Sequence, residues 1–148
     1  MNQAERDERL ETWSRSQPLD ITEDPIWRLD CYREAAYLFA LARDDALVLR
    51  DDRPFGAVGE QLLRCAGSIA ANVAEAYGRP TSGDRIRFLA YALGSAREAI
   101  TWYDGARSTL DAERVSDRIS RLSRVKRMLI SLLSRQHRGT EKPRFDKW

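Results

Sequence analysis

Four long segments of helical hydrophobic periodicity limit this chain to an all-α fold. They run from Pro25 to Arg50, from Phe55 to Tyr77, from Thr81 to Leu110 and from Ala112 to His137. Within each segment, apolar residues recur at intervals of three and four, which is the period of an amphipathic helix. Short polar turns separate the segments, and no segment alternates with the two-residue period of a strand. The matched lengths and short turns predict an up-down-up-down four-helix bundle.

Residues that start and stop helices flank these segments. Asp24, which proline follows directly, predicts the start of the first helix. Thr81, with Asp84 three residues later, has the spacing of a capping box for the third helix. Asp111 is a predicted cap for the fourth helix, and Gly78 is predicted to end the second helix in a left-handed conformation.

The bundle is predicted to span residues 25–138, with a segment at each end that lies outside the periodic pattern. In residues 1–24, the stretch from Gln3 to Trp13 has the pattern of a short amphipathic helix, and SRSQPLDITEDP has the composition of a linker. We expect this extension to be mobile or to depend on a partner for its order. Residues 139–148, GTEKPRFDKW, mix bases with aromatic residues and are predicted to form a flexible tail.

Composition excludes several classes of protein. No apolar run approaches the ~20 residues that a membrane span needs, and the first residues, MNQAERDERLETW, lack the apolar core of a secretory signal. We therefore expect a cytoplasmic protein. Cys31 and Cys65 are too few for a disulfide framework, so we predict reduced, buried thiols, with one structural bridge as the alternative. His137 falls at the end of the last predicted helix, where neither catalysis nor metal binding is expected.

The second helix carries polar residues in the stretch CAGSIAANVAEAYGRP, where long charged side chains are missing from Cys65 to Ala74. At 100° per residue its polar groups fall on one stripe, which we call the polar seam. The polar seam includes residues that we expect to face this stripe or to neutralise its charge. Its members are Gln61, Ser68, Asn72, Glu75, Gly78, Arg79, Arg87 and Ser95. Because small residues surround this helix, we predict that it is enclosed and that the seam is a buried hydrogen-bond network that fixes helix register or subunit arrangement. Surplus apolar surface on the neighbouring helices predicts self-association.

The end of the chain is basic. Residues 1–30 hold eight acids and four bases, whereas residues 111–148 hold five acids and eleven bases. On the last helix, a set that we call the basic strip is predicted to lie opposite the core: Arg114, Arg118, Arg121, Arg124, Arg127, Arg135 and Arg138. Two interpretations fit this pattern: a nucleic-acid-binding surface, or an ordinary solvated face.

Two motifs give the chain a family resemblance. SIAANVAEAYGR resembles the signature S-I-x-x-N-I-A-E-G-x-G-R, and RFLAYALGSAREA resembles the following R-F-L-x-x-A-x-G-S-x-x-E. Both are typical of a bacterial four-helix-bundle family that includes the 23S rRNA intervening-sequence protein and the accessory variability determinant of diversity-generating retroelements. Ala76 departs from the first motif, where glycine usually follows the glutamate. The resemblance implies a cyclic homopentamer and, for the retroelement members, binding to a reverse transcriptase and its template RNA.

Two functions are therefore expected from the sequence. The first is a non-catalytic oligomeric accessory protein that binds RNA or an RNA/cDNA hybrid together with a reverse transcriptase, as the resemblance implies. The alternative is a homo-oligomeric protein-interaction scaffold without a nucleic-acid role. We predict no enzyme activity, metal or cofactor, because the sequence has no nucleophile with a partner base and no phosphate loop. Asp44 and Asp45 are interpreted as solvated acids beside a turn.

Overall fold

A computed structural model of the chain describes residues 1–51 and 55–138, without the side chain of Arg138. Every regular element in these residues is helical. The elements are α1 (Gln3–Arg15), α2 (Leu19–Thr22), a 3-10 helix (Pro25–Arg28), α3 (Asp30–Arg50), α4 (Gly56–Gly78), α5 (Ser82–Gly105) and α6 (Ala112–Arg138). Helices α3 to α6 form the predicted four-helix bundle, in which each helix packs against the next and α6 packs back against α3. The predicted tail, residues 139–148, lies outside the described residues.

The core of the bundle lies along one stripe of each long helix. Its large members are fully buried and come from all four helices: Leu38, Leu49, Leu62, Ile69, Val73, Leu89, Tyr103, Leu122 and Leu129. Alanines fill the space between them on α5, where Ala92, Ala96 and Ala99 are also buried. The hydrophobic periodicity therefore gave the correct buried side of most of each helix. In the described ranges, no helix combines the length and apolarity needed to cross a bilayer.

The residues before the bundle pack against it. Helix α1 begins with a capping box between Asn2 and Glu5, and its Leu10 is buried. The short helix predicted over Gln3 to Trp13 is thus present. Trp13 lies with its ring centroid 5.0 Å from that of Tyr37 on α3, and this contact joins the extension to the bundle.

Most of the predicted helix ends are confirmed. Asp24 accepts a hydrogen bond from the backbone N–H of Ile26, although it caps the 3-10 helix and α3 begins later, at Asp30. Thr81 accepts from the backbone N–H of Asp84, and the Thr81 hydroxyl donates back to the Asp84 carboxylate. Helix α4 ends at Gly78, but Gly78 does not adopt the predicted left-handed conformation. The chain leaves α4 through an extended Arg79 instead.

Helices α3 and α4 approach each other closely at Gly59. A Cβ atom at Gly59 would lie 3.2 Å from the carbonyl oxygen of Ala46 and 3.2 Å from Cβ of Leu49. Neither neighbour is the flexible end of a side chain. Gly94, within α5, offers a matched comparison because an added Cβ would meet nothing within 4 Å.

We expect the substitutions Gly59→Ala and Gly94→Ala to have opposite effects on the free energy of unfolding. Alanine favours a helix interior over glycine by roughly 0.5–1 kcal/mol, so Gly94→Ala should stabilise the protein. At Gly59 overpacking should cost roughly 1–3 kcal/mol and outweigh that gain. Urea denaturation of both variants measures the difference. Equal stabilisation by the two substitutions would show that α3 and α4 can separate without penalty.

Candidate functional site

The basic strip does not form one exposed surface. Arg118 and Arg121 are buried, with 9% and 1% of their surface exposed, and Arg114 and Arg124 are half-buried. Arg127 and Arg135 are exposed, and the side chain of Arg138 lies outside the described part of the chain. The prediction that the strip lies opposite the core is therefore wrong for its central members.

Arg118 is held by carboxylates inside the bundle. Its Nε donates to Oδ2 of Asp45 over 2.8 Å and its Nη2 approaches Oδ1 over 3.3 Å, which is a two-pronged contact from α6 to α3. The hydroxyl of Tyr103, from α5, donates to the same Oδ2 over 2.8 Å. Asp45 is fully buried, so its interpretation as a solvated acid is also wrong. Arg114 adds a fourth donor at 3.3 Å.

Arg121 repeats this arrangement farther along α6. Its Nη1 donates to Oε1 of Glu34 on α3 over 2.8 Å, and its Nε donates to Oδ2 of Asp117 over 3.2 Å. Both carboxylates are almost completely buried. Arg118 donates to the same oxygen of Asp117 over 2.7 Å, and this shared acceptor links the two arginines. The result is a continuous series that we call the buried ion chain: Asp45, Arg118, Asp117, Arg121 and Glu34.

Helix α1 covers part of the buried ion chain. Arg6 donates to Oδ1 of Asp117 over 3.1 Å, and the carbonyl oxygen of Arg6 accepts from Nη2 of Arg121 over 2.9 Å. Asp7 accepts from Arg124. The face of Tyr37 covers the guanidinium of Arg121 at 4.8 Å, which adds a cation–π contact.

Two spacings in the sequence indicate that these charged side chains are buried. Arg118 precedes Leu122 by four residues, and this spacing puts both side chains on the same side of α6. On α3, Asp45 lies between Ala42 and Leu49 at spacings of three and four, so it shares their buried stripe. Acids on the buried stripe of one helix and arginines on that of another are the signal of an internal ionic contact.

The ionic contacts change the proton affinities of the groups involved. Burial by itself raises the pKa of Asp117, but the charges and hydrogen bonds of Arg121 and Arg118 outweigh burial and hold the pKa below its usual value of 3.8. Burial and the neighbouring Asp45 carboxylate raise the pKa of Tyr103 far above its ordinary range. Asp117 is therefore charged and Tyr103 is neutral at neutral pH.

The polar seam of α4 forms a smaller set of hydrogen bonds. Asn72 donates to the carbonyl oxygen of Ser68 over 2.8 Å and approaches its hydroxyl over 3.0 Å, and that hydroxyl lies 2.9 Å from the hydroxyl of Ser95 on α5. Glu75 is exposed and pairs with Arg79. The expected network is thus split into two parts, and the exposure of Glu75 contradicts its predicted burial within one protomer.

The remaining residues of the seam lie at its ends. Gln61 accepts a hydrogen bond from Arg64 over 2.9 Å. Arg87 is not a counterion of Glu75, since it pairs with Asp84 at 3.3 Å. The guanidinium groups of Arg87 and Arg79 each lie 5.0 Å from the centre of the Phe88 ring, where the end of α4 is close to the first turns of α5.

The outer side of α4 is exposed and carries small residues, so the prediction that α4 is enclosed is wrong for a single protomer. Ala71 is exposed, and Gly67 and Ala74 are half-buried. Phe39 of α3 is 43% exposed and lies across Gly67, where an added Cβ would approach its ring to 3.1 Å. Tyr91 of α5 is 55% exposed. We call this surface, Gly67, Ala71 and Ala74 with Phe39 and Tyr91, the small-residue face.

The two cysteines are free and buried, as predicted. Burial raises the pKa of Cys31 to about 12, and burial together with Glu98 raises that of Cys65 to about 11. Both are therefore thiols rather than reactive thiolates at neutral pH. Within residues 1–51 and 55–138, no three His, Cys, Asp or Glu side chains are grouped so that they could hold a metal ion.

We expect Arg121→Met to lower the free energy of unfolding by roughly 3–5 kcal/mol, because it leaves buried carboxylates with fewer positive partners. Arg127→Met is the matched control, since Arg127 lies on the same helix but is exposed, and it should change stability by less than about 0.5 kcal/mol. Urea unfolding followed by circular dichroism provides the comparison. Similar values for the two variants would mean that the buried ion chain contributes nothing to stability.

We expect the protein to lose stability as the pH falls below about 4, with a slope that depends on Asp117. A carboxyl group whose pKa is lowered in the folded state stabilises the fold above its unfolded pKa, here 3.8, and this contribution disappears as pH falls through the folded pKa. Asp117→Asn should flatten the slope of unfolding free energy against pH in this range. Asp104→Asn, which changes an exposed acid, should leave the slope unchanged. An unchanged slope in Asp117→Asn would contradict the assignment.

Comparisons with known proteins agree with the fold. A family model described as 23S rRNA-intervening sequence protein matches residues 31–131. The crystal structure of a protein of unknown function from the S23 ribosomal protein family of Bacteroides thetaiotaomicron is similar, with a TM-score of 0.66 and 22% sequence identity over 70% of this chain and 97% of that chain. No curated protein matches. Because the family model covers more than half of the sequence, the chain belongs to the 23S rRNA-intervening sequence protein family.

Proposed function

We propose that this protein is a non-catalytic scaffold that self-associates through the small-residue face. The observation that supports this function most directly is the outer side of α4, where Ala71 is exposed, Ala74 is half-buried and the exposed ring of Phe39 lies across Gly67. Small side chains allow another helix to approach closely, and the aromatic rings supply apolar area for burial. Exposed apolar surface of this kind marks sites of association in soluble proteins.

The polar seam fits an interface at the same place. Asn72 and Ser68 are half-buried at the border of the small-residue face, and Glu75 with Arg79 lies exposed beside them. Hydrogen-bonding groups at the rim of an apolar contact fix the register of two partners, because misaligned polar groups lose their water without gaining a partner. The ring of five subunits comes from the family resemblance and forms part of this proposal.

RNA binding and a reverse transcriptase partner remain predictions from the resemblance. Scaffolding is the better-supported function because Arg118 and Arg121 bind carboxylates within the fold and cannot also neutralise phosphates. In the described residues, the exposed members of the basic strip are Arg127 and Arg135. Two arginines on one protomer provide a weak phosphate attraction, since salt-dependent affinity grows with the number of phosphates contacted.

Light scattering at micromolar concentration tests the assembly. A ring of five 17.0 kDa chains has a mass of about 85 kDa. We expect Ala71→Arg to shift this mass toward 17.0 kDa, because a long charged side chain prevents close approach at the small-residue face.

Ala90→Arg is the matched control, since Ala90 is an exposed alanine on α5 that lies outside the small-residue face. This variant should keep the mass of the parent protein. A monomeric parent would refute self-association, and an unchanged mass in Ala71→Arg would place the interface elsewhere.

A further inference from the structure

Helix α1 lies on a surface formed by α3 and α6, outside the part of the chain that defines the family. The family model matches residues 31–131, whereas α1 spans Gln3–Arg15. The similar Bacteroides structure is covered over 97% of its length by only 70% of this chain. The four-helix fold therefore exists in a protein whose matched length leaves little room for an equivalent of α1.

The contact between α1 and the bundle is chiefly ionic. Asp7 pairs with Arg124 of α6, Arg6 pairs with Asp117 of α6, and Glu11 pairs with Arg33 of α3 at 3.5 Å. On α1 these pairs place one base before two acids, and the bundle presents the opposite charges, so they select both the position and the direction of α1. Opposite charges in complementary positions are typical of a surface that recognises a particular partner.

The apolar part of the contact is small. Within α1, Leu10 and Ser14 are the buried residues, and Trp13 adds its half-buried ring beside Tyr37. A cleft of about 670 Å³ stays open between α1 and α3, and its wall includes Trp13, Tyr37 and Leu41. The helix thus covers the surface without filling it.

The contact also leaves buried polar atoms without hydrogen-bond partners. They are Oγ of Ser14 on α1 and, on α3, Nε of Arg33 and Oε2 of Glu34. Buried polar atoms in a permanent interior contact are nearly always hydrogen-bonded, because each unpaired group costs free energy. Oε2 of Glu34 keeps an ion pair with Nη1 of Arg124 at 3.7 Å, but Oγ of Ser14 and Nε of Arg33 have no hydrogen-bond partner. These two atoms, one from each side of the contact, indicate that α1 is not optimised as a permanent part of the core.

We propose that the α3–α6 surface is a docking site for an acidic amphipathic helix and that α1 is its resident, exchangeable occupant. The docking site recognises three features of its ligand: a carboxylate that pairs with Arg124, a carboxylate that pairs with Arg33, and one buried leucine between them. In the intact chain α1 occupies the site because its tether gives it a high effective concentration. This inference does not depend on the proposed self-association, which uses α4.

The experiment uses the full chain with a protease site inserted between Gln17 and Pro18, in the exposed turn after α1. After cleavage, a fluorescent peptide of residues 1–17 is added and its anisotropy is measured against protein concentration. The peptide should bind the cleaved protein, by exchange with the released α1, and should not bind the uncleaved protein. Circular dichroism reports whether the cleaved protein stays folded.

Variant peptides test the recognition chemistry. Asp7→Asn removes the partner of Arg124 and should weaken binding by about two- to fivefold. Leu10→Ala removes the buried leucine and should weaken binding by roughly tenfold. Glu8→Gln is the control, because it makes the same loss of one charge at an exposed position. It should bind like the parent peptide.

Three results would overturn the proposal. The first is the absence of peptide binding to the cleaved protein. The second is loss of helical structure when α1 leaves, which would make α1 an obligatory part of the fold. The third is equal binding of the Asp7→Asn and Glu8→Gln peptides, which would show that the surface does not recognise the carboxylate that pairs with Arg124.

Discussion

The buried ion chain is the constraint on which the arrangement of the helices depends. Helices α3, α4 and α5 pack through apolar side chains and alanines, but α3 and α6 meet through Asp45, Arg118, Arg121 and Glu34. A buried charge is tolerated only when partners surround it, so each of these groups fixes the position of the others. The ion pairs at this edge of the bundle also fix the rotation of α6 about its own axis. If α6 rotated, two carboxylates would lose their partners.

The same contact explains why the two sides of the bundle have different surfaces. On the α3–α6 side, arginines are drawn inward and α1 covers them with charges of its own, including Arg6 and Asp7. On the side of α4, alanine and glycine are exposed or half-buried, and the rings of Phe39 on α3 and Tyr91 on α5 are exposed. One side therefore suits a charged helix and the other suits close apolar contact. The two proposals made for this protein, helix docking and self-association, use these separate surfaces.

Much of the fold was predictable from the residues alone. Local signals acted as expected at Asp24, at Thr81 with Asp84, and at Asp111, because a cap depends on atoms within a few residues. The buried thiols and the helical start of the N-terminal extension were also correct. The prediction that the whole basic strip is exposed is wrong because arginine can lie in the interior when carboxylates surround it. Arg118 shares a helix side with Leu122, and this spacing contradicts the prediction.

The sequence by itself determined the helical segments, most of their caps and the apolar part of each buried side, since hydrogen bonding and hydrophobic periodicity are properties of neighbouring residues. Only the tertiary structure decided which charges would meet. Arg118 and Asp45 are 73 positions apart, and Arg121 and Glu34 are 87 positions apart. A helical period gives the direction of a side chain around its own axis, but not the group it will face on another helix. An arginine binds phosphate at the surface or a carboxylate in the interior according to that neighbour, which packing alone provides.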